Sequence, residues 1–291
     1  MFHFKQLIMY GMCNNSMTIT YDDVKKAQET QSEIIRKTSL EFSETFSKIC
    51  GAKVFLKNEY EQKTGSFKIR GAYYKIKSLT DEQKSKGVVA ASAGNHSQGV
   101  AFASNIENIP CTIVMPRTAS PAKVAATKSY GAKVVLEGST YDESWDHAQK
   151  ISAETNATVI HAFDDSNVIA GQGVIGLEIM EELPDVDEIY VPIGGGGLVA
   201  GIITAVKEKH PHVKIIGVES SAYPAMKKSL ESNSLETVSG DTTIADGISV
   251  KTPGKLTFDI VREKIDKIVT VDDKDIINAM FLLMERSKAV V

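Results

Sequence analysis

The stretch Glu188-Ile189-Tyr190-Val191-Pro192-Ile193-Gly194-Gly195-Gly196-Gly197-Leu198-Val199-Ala200 runs from a short apolar segment, through four glycines, into an apolar helical pattern. It reads as strand Glu188–Ile193, a tight turn, and helix Leu198–Lys209. Glycines in such a turn let the backbone approach a ligand and aim successive N–H groups at one point. The helix N-terminus adds a field that favours an anion. A phosphate held without flanking lysine or arginine is the natural occupant. The Walker A spacing and the Gly-x-Gly-x-x-Gly spacing with its ribose acid both fit poorly. The plain alternative is a flexible strand–helix turn, which four consecutive glycines make costly to order.

The same rhythm extends on both sides. Val88–Ala91, Cys111–Met115, Lys133–Leu136, Thr158–Ile160, Lys214–Glu219 and Lys267–Val271 are short apolar runs of the kind that form buried strands. Helical patterns lie between them at His96–Ser104, Pro121–Tyr130, Asp142–Thr155 and Gly173–Glu182, with Lys274–Lys288 closing the chain. Ser120 is the expected N-cap of the second, and Gly131 stands where a left-handed C-cap belongs. The segment Ala222–Pro253, poorer in periodicity, reads as surface excursions around Thr243-Ile244-Ala245-Asp246-Gly247. Strand, crossover helix and parallel strand in repetition predict an α/β fold with helices on both sheet faces.

Two further segments carry chemistry. Ser92-Ala93-Gly94-Asn95-His96 follows a strand and precedes a helix, which makes it a second anion-binding turn. It suits a carboxylate, with the Asn95 amide available to a ligand oxygen. His96 could act as a base, but at a helix start it is read as bonding locally, and His161 at another strand end is read the same way. In Thr64-Gly65-Ser66-Phe67-Lys68-Ile69-Arg70-Gly71-Ala72 a single lysine precedes an apolar pattern. Small and apolar surroundings lower a lysine pKa and supply the free amine that Schiff-base chemistry needs. The alternative is a helix start with Lys68 snorkelling to solvent. Glu59, shortly before, is either buried near the lysine or merely solvated. A phosphate cradle, a carboxylate cradle and an imine-forming lysine together suit pyridoxal 5′-phosphate and an amino-acid substrate.

Ser66–Ala72, Ser92–His96, Ala170-Gly171-Gln172-Gly173, the tetraglycine loop and Thr243–Gly247 resemble, in order, the motifs of the threonine dehydratase/serine racemase family. The resemblance runs from about Met17 to the last residue. It implies the tryptophan synthase β-like fold type and two domains: a large cofactor-binding domain of residues 17–85 and 160–291, and a small one of residues 86–159. It also implies that Lys68 ties the cofactor aldehyde and that Phe67 packs on its ring. Asn95 would bond the ring 3-hydroxyl, while Gly194, Gly195, Gly196, Gly197 and Leu198 hold the phosphate. The turn of Ser92, Ala93, Gly94, Asn95 and His96 would receive the substrate carboxylate. The reaction implied is β-elimination from L-threonine or L-serine, with Lys68 as the base at Cα. A homodimer or homotetramer in the cytoplasm is implied as well.

Three departures bear on this expectation. Family members continue beyond the position of Val291, into a helix start with a glutamate and a Ser-Gly-Gly turn that reaches the pyridine nitrogen. The ending Ala289-Val290-Val291 is therefore read as cut short. A cation site of some relatives uses an acid at the position of Glu219, a backbone oxygen near Tyr223, and a second acid where this chain has Ala225. No metal is expected, and Glu219 is either a partial ligand or a strand-end carboxylate with local hydrogen bonds. Ala93 replaces the serine that racemases place before the glycine of this turn.

Composition narrows the alternatives. The 291 residues are 42% hydrophobic and 24% charged with net charge −4, typical of a globular protein and without a basic cluster for nucleic acid. The three cysteines, Cys13, Cys50 and Cys111, show no metal-ligand spacing and suit a reducing compartment. Residues 1–16 read as a frayed tail or a misassigned start, too short and broken in their apolar run for a signal or a membrane span. The competing readings are a serine racemase or other β-eliminating lyase, an inactive cofactor-binding homologue, and a dinucleotide-dependent oxidoreductase.

Overall fold

The computed structural model describes residues 19–290; the expected tail of residues 1–16 lies outside the described residues. Helix α1 (Tyr21–Gln31) starts at a reciprocal cap, in which the Thr20 hydroxyl accepts from the Asp23 N–H and the Asp23 carboxylate accepts from the Thr20 N–H. Strands β1 (Leu40–Phe42) and β2 (Phe55–Lys57) pair antiparallel around helix α2 (Glu44–Cys50). Helices α3 (Lys68–Lys77) and α4 (Asp81–Lys86) follow. Then come β3 (Val88–Ala91), α5 (Asn95–Ile106), β4 (Cys111–Met115), α6 (Pro121–Ser129), β5 (Lys133–Leu136), α7 (Tyr141–Thr155) and β6 (Thr158–Val159). The rest of the chain forms α8 (Ser166–Glu182), β7 (Glu188–Pro192), α9 (Gly197–Lys207), β8 (Lys214–Ser220), α10 (Ala225–Ser232), α11 (Lys255–Lys264), β9 (Lys267–Val271) and α12 (Asp273–Leu282).

Two parallel sheets organise these elements, and the architecture is the α/β one expected. One sheet has the order β5-β4-β3-β6 and the other β7-β8-β9. In the first sheet the chain leaves β3 toward β4 and β5 on one side and returns to its other side as β6. The order therefore reverses between β3 and β6, and the loops after those two strands flank a switch point, where open α/β sheets bind ligands. These loops are Ser92–Gly94 and Ile160–Asp165.

Helix α3 lies between the two halves. Ile69, Ala72, Tyr73 and Ile76 join the apolar core under the first sheet with Val88, Ala90, Ile113 and Met115. That core thus begins earlier than residue 86. On its other side α3 meets α8, and there the glycines explain the helix contacts. A Cβ on Gly171 would lie 2.6 Å from Gly71 Cα, and one on Gly173 would lie 2.7 Å from the Gly201 carbonyl oxygen.

Several expected boundaries move for that kind of reason. Helix α8 starts at Ser166 instead of Gly173, because Asp165 caps the Asn167 and Val168 N–H groups. Its glycines are contact points inside a helix rather than its approach. Within Ala222–Pro253, read as surface excursions, α10 forms with no side-chain cap of its own; its Met226 and Lys227 N–H groups are taken by Glu219 at the end of β8. The closing helix ends at Leu282 and passes into a π-turn at Leu283–Ser287. Lys288 then takes the left-handed φ of 55° that usually falls to glycine.

The close approach of α3 and α8 has a direct test. Gly171→Ala places a methyl against Gly71 Cα and the Arg70 carbonyl oxygen, 2.8 Å away. It should cost about 1–3 kcal/mol of stability, read as a lower urea midpoint at constant slope. Gly247→Ala, with nothing within 4 Å of the added methyl, should leave the midpoint unchanged.

Candidate active site

Lys68 opens α3 behind a tight turn. The Gly65 N–H donates to the Gln62 carbonyl at 2.7 Å with Gly65 at φ +71°, and Thr64 and Ser66 are buried with unpaired hydroxyls. The next turn of the helix is fixed by charge. Arg70 is fully buried, donating to Glu59 at 2.8 Å and to Glu178 at 2.7 Å, while Lys57 also reaches Glu178 at 2.7 Å. Burial alone would lower the Arg70 pKa, but the Glu59 and Glu178 carboxylates outweigh it and raise it. This settles Glu59, which is half-buried and serves Arg70 and the Thr38 hydroxyl. Neither Arg70 nor Glu178 had been singled out from the sequence, where nothing marks a partner 108 residues away.

The Lys68 side chain keeps a partly open face, yet its amine lies among protein atoms and donates to the Ala162 carbonyl at 2.9 Å. Burial, with no carboxylate beside it, lowers its pKa from 10.5 to about 8. The amine also stands 5.3 Å from the centre of the Phe67 ring. Phe67 in turn is half-buried against the core of the second sheet.

Ala162 belongs to the loop after β6, beside the Ser92–His96 turn. In that turn Ser92 accepts from the Gly94 N–H, Ala93 is half-buried, and Asn95 is exposed at the first position of α5. His96 is buried and does not bond locally. Its Nε2 lies 2.9 Å from the Ile160 carbonyl oxygen across the switch point, so Nε2 carries the hydrogen that the carbonyl accepts. Burial, with the Lys68 charge second, pushes its pKa down to about 3. The imidazole is therefore neutral, and its Nδ1 is buried without a partner.

In the tetraglycine loop only Gly196 has a positive φ, +96°. The other glycines are set by neighbours. A Cβ on Gly195 would collide with the Phe163 ring, and one on Gly197 would lie 2.9 Å from Phe163 Cβ. Gly196 is hemmed in by Met226 and Thr257, at 2.7 and 2.8 Å from the same hypothetical atom. The N–H groups of Gly194 through Leu198 meet no backbone acceptor among the described residues and crown the N-terminus of α9. Phe163 and Thr257 carry no pattern in the sequence that marks them for this site. Thr257 donates to the Gly195 carbonyl at 2.6 Å, and Asp164 accepts from the N–H groups of Lys255, Leu256 and Thr257. Only the strand-end position of His161, two residues before Phe163, could have drawn attention to this turn.

The arrangement has two chemically distinct ends, a desolvated amine at Lys68 and a set of open N–H groups at Gly194–Leu198. The Ala162-Phe163 dipeptide touches both. A group bearing an aldehyde and a phosphate fits those donors, so the residues present suit pyridoxal phosphate. Glu219, by contrast, is fully buried, with one carboxylate oxygen on the Met226 N–H at 2.8 Å and the other on the Lys227 N–H at 2.9 Å. Burial raises its pKa to about 7 against those two hydrogen bonds.

Comparison with known proteins defines the class. Residues 31–291 match the model of the family described as pyridoxal-phosphate dependent enzyme. The chain belongs to that family. It is 50% identical over 272 residues to an L-threonine ammonia-lyase of Thermotoga maritima, covering 94% of this chain and 68% of the relative. Among solved structures, threonine deaminase isoform 2 of Solanum lycopersicum superposes with a TM-score of 0.89 at 37% identity, covering 93% of this chain and 76% of that one. A serine racemase of Dictyostelium discoideum gives a TM-score of 0.89 at 36% identity, covering 94% of this chain and 88% of that one.

The lowered Lys68 pKa predicts how cofactor uptake depends on pH. Only the uncharged amine forms an imine, so the rate at which apoenzyme takes up pyridoxal phosphate should climb as pH rises and level off above about 8. A midpoint near 10.5 would mark an ordinary solvated lysine. Borohydride reduction of the loaded protein should leave the cofactor on the peptide containing Lys68, and label on another lysine would remove this residue from the role.

Proposed function

We propose that this chain is an L-threonine/L-serine ammonia-lyase, which removes the amino group and the β-hydroxyl of its substrate to give 2-oxobutanoate or pyruvate and ammonia. The observation that carries the reading is the buried Lys68 amine, lowered to about 8 and placed at the switch point beside the Ser92–His96 turn. Names borne by relatives at 50% and 46% identity, L-threonine ammonia-lyase and L-threonine dehydratase, support the substrate class. The reading assigns the sheet of β3 to β6 to a small domain and the sheet of β7 to β9 to a large one.

Bound pyridoxal phosphate supplies an electron sink for the charge that develops at Cα. The residues of the chain do the rest. Gly194, Gly195, Gly196, Gly197 and Leu198 would hold the phosphate with their N–H groups, Asn95 would bond the ring hydroxyl, and Phe67 would pack on the ring. The Ala93, Asn95 and His96 N–H groups, which have no acceptor among the described residues, would receive the substrate carboxylate, with the neutral His96 adding no charge of its own. Lys68 takes the proton from Cα. With a pKa of about 8 its amine is roughly one-tenth unprotonated at pH 7, enough to act as base and still return the proton. Loss of water across Cα and Cβ followed by hydrolysis of the C=N bond balances to 2-oxo acid plus ammonia.

Position 93 separates elimination from racemisation. Reprotonating Cα on the face opposite Lys68 needs a second donor, and the Ala93 methyl has no proton to give. The Ser92 hydroxyl is turned to the Gly94 N–H. Overlap with a solved serine racemase therefore does not make this chain a racemase, since the folds of both enzyme types superpose equally well.

The test is product analysis. Incubation with L-threonine or L-serine should yield 2-oxo acid and ammonia in equal amounts, with negligible D-serine by chiral chromatography. Lys68→Ala should abolish turnover, a loss far larger than any single loop substitution causes. D-serine accumulating as fast as pyruvate would overturn the lyase reading in favour of a racemase.

A further inference from the structure

The turn His161-Ala162-Phe163-Asp164 touches both Lys68 and the glycine loop. Its Ala162 carbonyl accepts from the Lys68 amine at 2.9 Å. The Phe163 ring lies under Gly195 and its backbone under Gly197. The Asp164 carboxylate caps the first three residues of α11, the last of which, Thr257, bonds the Gly195 carbonyl. A hinge at this turn would move the lysine and the phosphate loop together.

One atom holds the turn closed. His161 Nδ1 accepts from the Phe163 N–H at 3.2 Å and from the Asp164 N–H at 2.8 Å. The ring is wedged edge-on between Trp145 of α7 and Phe163, with centroids 5.0 and 4.7 Å away. An imidazole can accept at Nδ1 only while that nitrogen is unprotonated.

We propose that His161 is a positioning residue, whose neutral imidazole clamps this turn and so sets both Lys68 and the glycine loop for the cofactor. The inference rests on those two elements holding pyridoxal phosphate. Protonation turns Nδ1 from acceptor to donor against two N–H groups, so acid should open the clamp. Three charged groups face the ring, Asp164 and Asp165 favouring its cation and Lys68 opposing it, while the nearby His96 of α5 is neutral. Burial is the largest influence and depresses the His161 pKa below 6.5, so the clamp persists at neutral pH and is lost only as pH falls through that depressed pKa.

The experiment compares His161→Leu with His161→Asn in the holoenzyme. Asparagine carries Oδ1 where histidine carries Nδ1 and makes the same turn bonds. Leucine should weaken pyridoxal phosphate binding about tenfold, read by the cofactor's absorbance on serial dilution, because two hydrogen bonds are lost. Asparagine should bind within about twofold of the native protein, since both bonds are kept. As pH is lowered below 6.5 the native protein should come to release cofactor faster than the Asn variant, which has no titrating clamp. Equal affinity of the Leu variant and the native protein would overturn the proposal, as would an Asn variant as weak as the Leu variant. Should the Leu variant not fold, identical acid release from the native and Asn proteins would overturn it. Pyridoxine 5′-phosphate, which lacks the aldehyde, should lose affinity in the Leu variant as well. It retains its affinity in Lys68→Ala, so failure of the lysine assignment is distinguished from failure of the clamp.

Discussion

A guanidinium with no access to water decides where Lys68 sits. Arg70 lies two residues beyond Lys68, and its position is dictated by carboxylates from two other elements, Glu59 after β2 and Glu178 on α8. With Lys57 also on Glu178, these four side chains set two positive charges against two negative ones, and Glu182 stands 3.8 Å from Lys57 at the edge of the cluster. Its strength lies in what breaking it would do. Removing one partner from such a set strands a buried charge, at a cost of about 3–5 kcal/mol. Helix α3 therefore cannot rotate about its axis without losing bonds at Arg70, and Lys68 is carried on the same rigid turn.

This anchoring leaves Lys68 itself free of carboxylates. Two residues away a cation is paired twice, while the Lys68 amine meets only a carbonyl oxygen. The contrast is what gives the two basic groups opposite behaviour. Arg70 is held charged by its partners, whereas Lys68 is pushed toward its neutral form by burial alone. His96 and His161 are both depressed by burial; His161 also accepts at Nδ1, which requires the neutral ring, whereas His96 donates from Nε2 to the Ile160 carbonyl. The switch point between β3 and β6 is thus polar in its hydrogen bonds and poor in fixed charge. A carboxylate entering it meets N–H groups, because the Asp164 and Asp165 carboxylates nearby are already engaged by the first N–H groups of α11 and by Lys75.

Much of this was legible in the residues alone. Strands β3, β4, β5 and β9 match their expected spans, because a short apolar run between turn residues has few other places to go. The Ser120 cap of α6 and the left-handed Gly131 after it are local chemistry and were read as such. What escaped depends on contacts far apart in sequence. Helix α10 owes its start to Glu219 in the preceding strand, and α8 keeps its glycines because α3 and α9 approach them too closely for a side chain. Phe163 and Thr257 carry no pattern of their own; they matter through the glycine loop they touch.

That loop shows how one sequence feature can satisfy two demands. Read along the chain, four glycines suggest backbone freedom and room for a ligand. In the fold the freedom is used at Gly196 alone, and the other three are small because Phe163, Ile248 and Val250 stand where their side chains would be. The protein thereby packs the loop tightly on its inner side, so the entropy the glycines lose is lost on folding and not again when a ligand binds. Its N–H groups are left without a backbone acceptor among the described residues. A rigid backing and an open row of donors are the two conditions an anion site needs, and the same four residues meet both.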